Sequence, residues 1–91
     1  MVMPTLVAMT DASTAWTESD GALRRRFQFA NFSEAFAFMT RVALLAEKAG
    51  HHPDWSNSWN TVDISLTTHS AGSTVTDNDR NLAAAIDKLL A

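Results

Sequence analysis

Asn31-Phe32-Ser33-Glu34-Ala35-Phe36-Ala37-Phe38-Met39-Thr40-Arg41-Val42-Ala43-Leu44-Leu45-Ala46-Glu47-Lys48-Ala49-Gly50 is the stretch that decides the fold. Asn31 is followed three residues on by Glu34, the spacing of a capping box. Gly50 stands where a left-handed residue ends a helix. Between these signals Phe32, Ala35, Phe36, Met39, Val42, Ala43 and Ala46 recur at helical spacing and form one apolar stripe. Phe38 and Leu45 sit a heptad apart, off that stripe, with Leu44 nearby. The helix therefore carries more apolar surface than one core face needs. In a chain of 91 residues, too short to bury much apolar surface alone, this predicts a homodimer or homotetramer through the 33–49 helix.

Both flanks of this helix read as strands. Upstream, Trp16 to Glu18 is a short strand and Asp20-Gly21 is a strong hairpin turn. From Leu23 to Ala30, Phe27 and Phe29 point one way and Arg24, Arg26 and Gln28 the other, with Arg25 breaking the alternation. Downstream, Ser58 to Thr68 is the clearest strand, with Val62, Ile64 and Leu66 alternating against Asp63, Ser65 and Thr67. Ala71-Gly72-Ser73 is a loop. Thr76-Asp77-Asn78-Asp79 is a second capping box, and Leu82 to Leu90 follows as an amphipathic helix. The order β-β-α-β-α predicts an α+β fold, an antiparallel sheet with helices packed on one face. The domain runs over residues 16–91. Residues 1–15 form an N-terminal segment whose Thr10-Asp11-Ala12-Ser13 fits a helix cap or a loop equally well.

Composition removes several classes of function. The 46% hydrophobic content fits one core and no second domain. No cysteine is present, which excludes disulfides and thiolate metal sites. The net charge is −3, and the one basic run, Arg24-Arg25-Arg26, lies inside a strand pattern and reads as a solvated strand face. Direct nucleic-acid binding is not expected, since it needs a broader basic face. No stretch approaches the length of a membrane span. The apolar start from Met1 to Met9 lacks a basic n-region and is interrupted by Pro4, so the expected compartment is the cytoplasm.

The chemistry concentrates on three histidines, all at element ends. His51-His52-Pro53 follows the helix terminus at Gly50, and Pro53 biases His52 toward extended backbone, which splays the two imidazoles. His51 lies just past a helix C-terminus, whose partial negative charge favours an imidazolium. His69 ends the long strand after Thr67-Thr68. Histidine is the natural general acid or base near neutral pH. Close imidazoles disfavour each other's charge and a neighbouring carboxylate favours it, a role open to Asp79 and Glu47. Each residue also has a plain reading: exposed loop histidines, a helix-cap Asp79, a solvated Glu47, and Trp55 and Trp59 as core or interface aromatics. A zinc site is disfavoured because adjacent imidazoles seldom converge on one ion and no His-x-His or i,i+4 pair is present. Trp59 and His69 share a strand face by parity but would stand roughly 33 Å apart on a straight strand.

Taken together, Glu47-x3-His51-His52-Pro53-x5-Trp59-x9-His69-x9-Asp79 resembles the signature of the pterin-4a-carbinolamine dehydratases, a family also known as the dimerization cofactor of a homeodomain transcription factor. Phe36-Ala37-Phe38-Met39-Thr40-Arg41-Val42-Ala43 and Asn81-Leu82-Ala83 resemble the family's helices, and the likeness runs from about Trp16 to the C-terminus. The resemblance implies a hydro-lyase that dehydrates a 4a-hydroxy-tetrahydropterin to the quinonoid dihydropterin, recycling the pterin of aromatic amino acid hydroxylases without metal or added cofactor. It implies that His51 and His69 protonate the departing hydroxyl, that His52 orients substrate and accepts a proton, and that Asp79 keeps the site ordered. Thr67, Thr68 and Ser70 resemble the substrate-contacting strand end, Trp55 the pocket wall, and Glu47 a residue at the substrate. Gly50 stands where many members have a polar or acidic residue before the histidine pair. The same family includes partners of a transcription factor and assembly helpers. A non-catalytic protein-binding module, nuclear in the first case, is therefore the alternative that the resemblance carries.

Overall fold

Asp20 and Gly21 both adopt positive φ, 50° and 77°. That is the conformation of a two-residue hairpin turn whose twist matches the flanking strands. It joins β1 (Thr17–Ser19) to β2 (Ala22–Gln28), paired antiparallel with Ser19 opposite Ala22. The computed structural model describes residues 15–90, so residues 1–14 of the N-terminal segment lie outside the described residues. After β2 come α1 (Phe32–Ala49), β3 (Asp54–Ser58), β4 (Thr61–Leu66), a 3-10 turn (His69–Ala71) and α2 (Asp77–Lys88). The four strands form one antiparallel sheet in the order β1-β2-β4-β3. The fold is α+β, with both helices on the face that carries Phe27, Val62, Ile64 and Leu66.

The element order departs from the expected β-β-α-β-α by one strand. β3 is an edge strand whose residues alternate between exposed and half-buried, and Trp55 is its only large apolar side chain. Its polar composition hides it from an apolar-alternation reading. The expected single strand from Ser58 to Thr68 is a hairpin turn followed by β4. Ser58 pairs with Thr61 across Trp59-Asn60, and Trp59 takes φ 51°. The Asn57 amide supports this turn by donating to the carbonyls of Trp59 and Thr61 at 3.0 and 2.9 Å. Trp59 is thus at a hairpin tip, not on the strand that leads to His69.

Two further expectations are corrected. The stripe on α1 is rotated: Ala35, Phe38, Val42 and Ala46 are buried, with Phe38 wholly inaccessible between Phe27 and Phe29. Phe32, Phe36 and Leu44 are exposed instead. The off-stripe Phe38 therefore belongs to the core, and the excess apolar surface lies on the Phe32–Phe36–Leu44 side. Arg25 is not part of a solvated face. Its side chain is 9% exposed, lies over the Phe27 ring at 4.5 Å and pairs with Asp87 of α2 at 2.7 Å. Asp87 also accepts from Trp16 Nε1 at 2.8 Å. An arginine satisfied in this way can occupy a core-facing strand position. Arg24 and Arg26 are exposed as expected, and Arg26 pairs across the sheet with Asp63 at 2.7 Å.

The helix caps set the directions of the loops. Asn31 Oδ1 accepts from Glu34 N at 2.9 Å, but the return bond of a capping box is absent and Glu34 Oε1 is buried without a partner. At the other end Gly50 is left-handed, and His51 N donates to Ala46 O at 3.1 Å, which closes α1 with a Schellman-type turn. At α2 the box is complete: Thr76 caps the helix and Asp79 accepts from Thr76 N.

Candidate active site

Three segments converge at one end of the sheet: the C-terminus of α1, the end of β4, and the first turn of α2. Gly50 turns the chain so that His51 meets α2. β4 ends at Leu66, and Thr67, Thr68 and the 3-10 turn carry His69 to the same rim. Gly50, His51, His52, Thr67, Thr68, His69, Ser70 and Asn78 line one cavity of about 310 Å³. Seven of these eight are expected site residues. The eighth, Asn78, adjoins Asp79 in the first turn of α2 and so faces the same rim.

Each imidazole presents its Nε2 to a carboxylate. His51 Nε2 lies 2.5 Å from Asp79 Oδ1, with side-chain exposures of 14% and 0%. His52 Nε2 lies 2.9 Å from Glu47 Oε1, and His69 Nε2 lies 3.5 Å from Asp54 Oδ2, both pairs well exposed. Glu47 and Asp79 are the partners that the sequence suggests. Asp54 is a further one, and its single sequence signal is its place directly after His51-His52-Pro53. Glu47 reaches the site through His52 and does not line the cavity. Trp55 stands apart, half-buried against the core and lining a groove with Ile64.

Asp79 is wholly buried and accepts three hydrogen bonds. Its Oδ1 accepts from His51, and its Oδ2 accepts from Thr68 Oγ1 at 2.7 Å and from Thr76 N at 2.9 Å. Burial alone pushes its carboxyl up. The hydrogen bonds from His51, Thr76 and Thr68, with the charge of His51, outweigh that and hold it below the ordinary carboxylate value. An ionised carboxylate can only accept, so the His51 nitrogen facing it carries the hydrogen. Nδ1 is then the His51 nitrogen available for proton exchange with a ligand. The hydroxyl of Thr67 is directed away from the cavity and donates to Gly21 O at 2.7 Å.

The arrangement suits acid–base chemistry on a small flat molecule. Three imidazoles line one cavity, and each has a carboxylate oxygen within 3.5 Å of its Nε2; histidine exchanges protons near neutral pH. Among the described residues no group of three or more histidine and carboxylate side chains is placed to hold a metal ion.

A family profile for pterin 4 alpha carbinolamine dehydratase matches residues 5–89. A protein of Rhizorhabdus wittichii, provisionally named a pterin-4-alpha-carbinolamine dehydratase, is 57% identical over 81 residues, covering 87% of this chain and 82% of its own. A Bradyrhizobium protein with the same provisional name is 53% identical over 89 residues, covering 92% and 89%. Among solved structures, a transcriptional coactivator/pterin dehydratase from Brucella melitensis superposes with a TM-score of 0.80 at 41% identity, over 86% of this chain and 84% of that one. A pterin dehydratase-like protein described as a RuBisCO assembly factor in the alpha-carboxysome superposes with a TM-score of 0.70 at 26% identity, over 84% and 89%.

Proposed function

Because the chain belongs to the pterin-4-alpha-carbinolamine dehydratase family, we propose that it is a catalytically active member that dehydrates a 4a-hydroxy-tetrahydropterin. The observation that carries this reading is the convergence of all three histidines on one cavity, with carboxylates ordering their outer nitrogens. The cavity volume of about 310 Å³ is of the size that holds a bicyclic heterocycle.

In the reaction the C4a–O bond breaks, the oxygen takes a proton and leaves as water, and the N5 lone pair forms the C4a=N5 double bond. The proton on N5 goes to a base. His51, as imidazolium, gives its Nδ1 proton to the departing oxygen while Nε2–H stays on Asp79. His69, partnered by Asp54, is the second donor, and His52, partnered by Glu47, orients the ring and accepts the proton from N5. Each such transfer contributes about 10²–10⁴-fold. Ser70, Gly50 and Asn78 form the polar wall against the pterin edge, Thr67 lines it with its hydroxyl turned away to Gly21 O, and Trp55 supports the sheet edge behind Asp54. No metal or added cofactor is assigned to the step. A cytoplasmic location is part of this proposal, and no helix among the described residues is long and apolar enough to cross a membrane.

Stopped-flow dehydration of the 4a-hydroxy pterin tests this. His51→Ala and His69→Ala should each lower the rate while circular dichroism shows the fold intact. Wild-type activity in the double variant would sink the assignment.

A specific observation also supports a protein-binding role beside the chemistry. Phe32, Phe36 and Leu44 are exposed along one side of α1, with the Phe32 and Phe36 rings 5.8 Å apart. This is the side through which the chain associates with its own copies as a dimer or tetramer, and on which a second protein partner would compete. Leu44→Glu should yield monomers by light scattering at micromolar concentration. An unchanged assembly, or a monomeric wild type, overturns that reading.

A further inference from the structure

Thr68 lines the cavity, yet its polar groups are all engaged inside the protein. It is 7% exposed. Its N–H donates to Thr74 O at 3.0 Å, and its carbonyl accepts from Ala71 N and Ser73 N, each at 3.1 Å. Its Oγ1 lies 2.7 Å from Asp79 Oδ2 and 2.7 Å from Thr76 Oγ1. A carbonyl accepts two hydrogen bonds and a hydroxyl donates one, so little is left for a ligand.

The directions of these bonds follow from which atoms own hydrogens. The Asp79 carboxylate has none to give, so the Thr68 hydrogen points to Asp79 Oδ2. Thr68 Oγ1 then accepts, and the Thr76 hydroxyl hydrogen must point to it. Thr76 Oγ1 in turn accepts from Asn78 N at 3.3 Å. The chain of donors runs from the first turn of α2 through Thr76 and Thr68 to one oxygen of Asp79, and the other oxygen holds His51. The end of β4 and the cap of α2 thus fix the carboxylate plane, and with it the imidazole.

We propose that Thr68 is a positioning residue: its hydroxyl holds Asp79, and through Asp79 the orientation and tautomer of His51, without touching the substrate. Its effect on rate rests on the dehydratase reading, whereas its effect on the Asp79–His51 pair does not. The titrating and charged groups around the pair are Asp77 in the same turn of α2, Lys48 beside His51 in the groove between the helices, and His52 with Glu47 and His69 with Asp54 around the cavity.

The test uses the full chain with Thr68→Val, which keeps the shape and removes the hydroxyl, and with Thr68→Ser, which restores it. Carbon-detected NMR follows the Asp79 carboxyl in substrate-free protein. Loss of one hydrogen bond to the charged form should move its titration upward by about one pH unit in Thr68→Val, and Thr68→Ser should titrate as wild type. In stopped flow the valine variant should lose about tenfold in kcat with KM nearly unchanged, its acid limb moved up with Asp79, and the serine variant should recover both. An unmoved Asp79 titration in folded Thr68→Val overturns the proposal. So does a raised KM with kcat kept, which would make Thr68 a substrate contact. If Thr68→Val does not fold, Thr68→Ala takes its place, with the same shifts expected and the same two results overturning the proposal. If wild-type protein shows no dehydration, the reading of the activity fails and the titration still decides the role of Thr68.

Discussion

Replacing Asp79 by Asn keeps the volume of a side chain that is wholly buried and removes only its charge and one acceptor. The carboxylate takes three hydrogen bonds, from His51 on one oxygen and from Thr68 and Thr76 on the other. An amide has one oxygen. If that oxygen stays with Thr68 and Thr76, the NH₂ group faces His51 Nε2, which must give up its hydrogen and move it to Nδ1. The imidazolium needed for proton donation would then set N–H against N–H. A wrong tautomer imposed in this way lowers kcat by about 10⁴ in the serine-protease triad, and about 10²–10⁴ is expected here because His69 remains as a second donor. Stability falls as well. One charge-assisted bond worth about 1.5–3 kcal/mol is lost and two others weaken, for a total near 2–4 kcal/mol. Urea denaturation gives the second number and stopped flow the first, on the same preparation. A folded Asp79→Asn protein with wild-type kcat would refute the assignment of His51 as an acid held by Asp79.

Three more expectations follow from the same contacts. The Asp79 carboxyl is held below its ordinary value, so its contribution to stability is complete above about pH 4 and is lost as pH falls through the folded value. Wild-type protein should therefore lose more stability between pH 6 and pH 3 than Asp79→Asn does, and parallel urea midpoints would contradict this. Gly21→Ala should cost about 2 kcal/mol or more and perturb the His69 loop, because its Cβ would lie 2.4 Å from Ser73 O at a φ of 77°; a thermal midpoint within a degree of wild type would count against it. Arg25→Met should lose about 1–3 kcal/mol by removing the nearly buried partner of Asp87, while Arg24→Met on the open face stays within about 0.5 kcal/mol, and equal losses in urea denaturation would show that the alternation break at Arg25 is unimportant.

Much of this architecture is legible in the residues because local signals agree with the tertiary result. Asp20-Gly21 needs two positive φ angles and takes them, and Thr76 with Asp79 makes the cap that its spacing predicts. β3 escapes because an exposed edge strand need not alternate in polarity, and its hairpin turn uses Trp59-Asn60 without a glycine. The α1 stripe is misphased because alanine and phenylalanine occur all round the helix, so spacing alone cannot say that Phe38 enters the core and Phe36 does not. In the site, the histidines and their convergence on one rim are readable from element ends. Asp54 and Asn78 are not, because their roles depend on which segments the sheet order brings side by side. Thr68 shows the limit most clearly, since a hydroxyl on a strand end reads as a ligand contact until its partners are seen.

The unequal burial of the site has a consequence for how such a chain can change over generations. His52 and His69 stand at the surface and pack against little, so mutation can erase them and leave the scaffold intact. Asp79 has no such freedom, because the same carboxylate that holds His51 closes the first turn of α2. A change at either exposed imidazole therefore leaves the packed scaffold alone, whereas a change at Asp79 loosens a helix end and a histidine together.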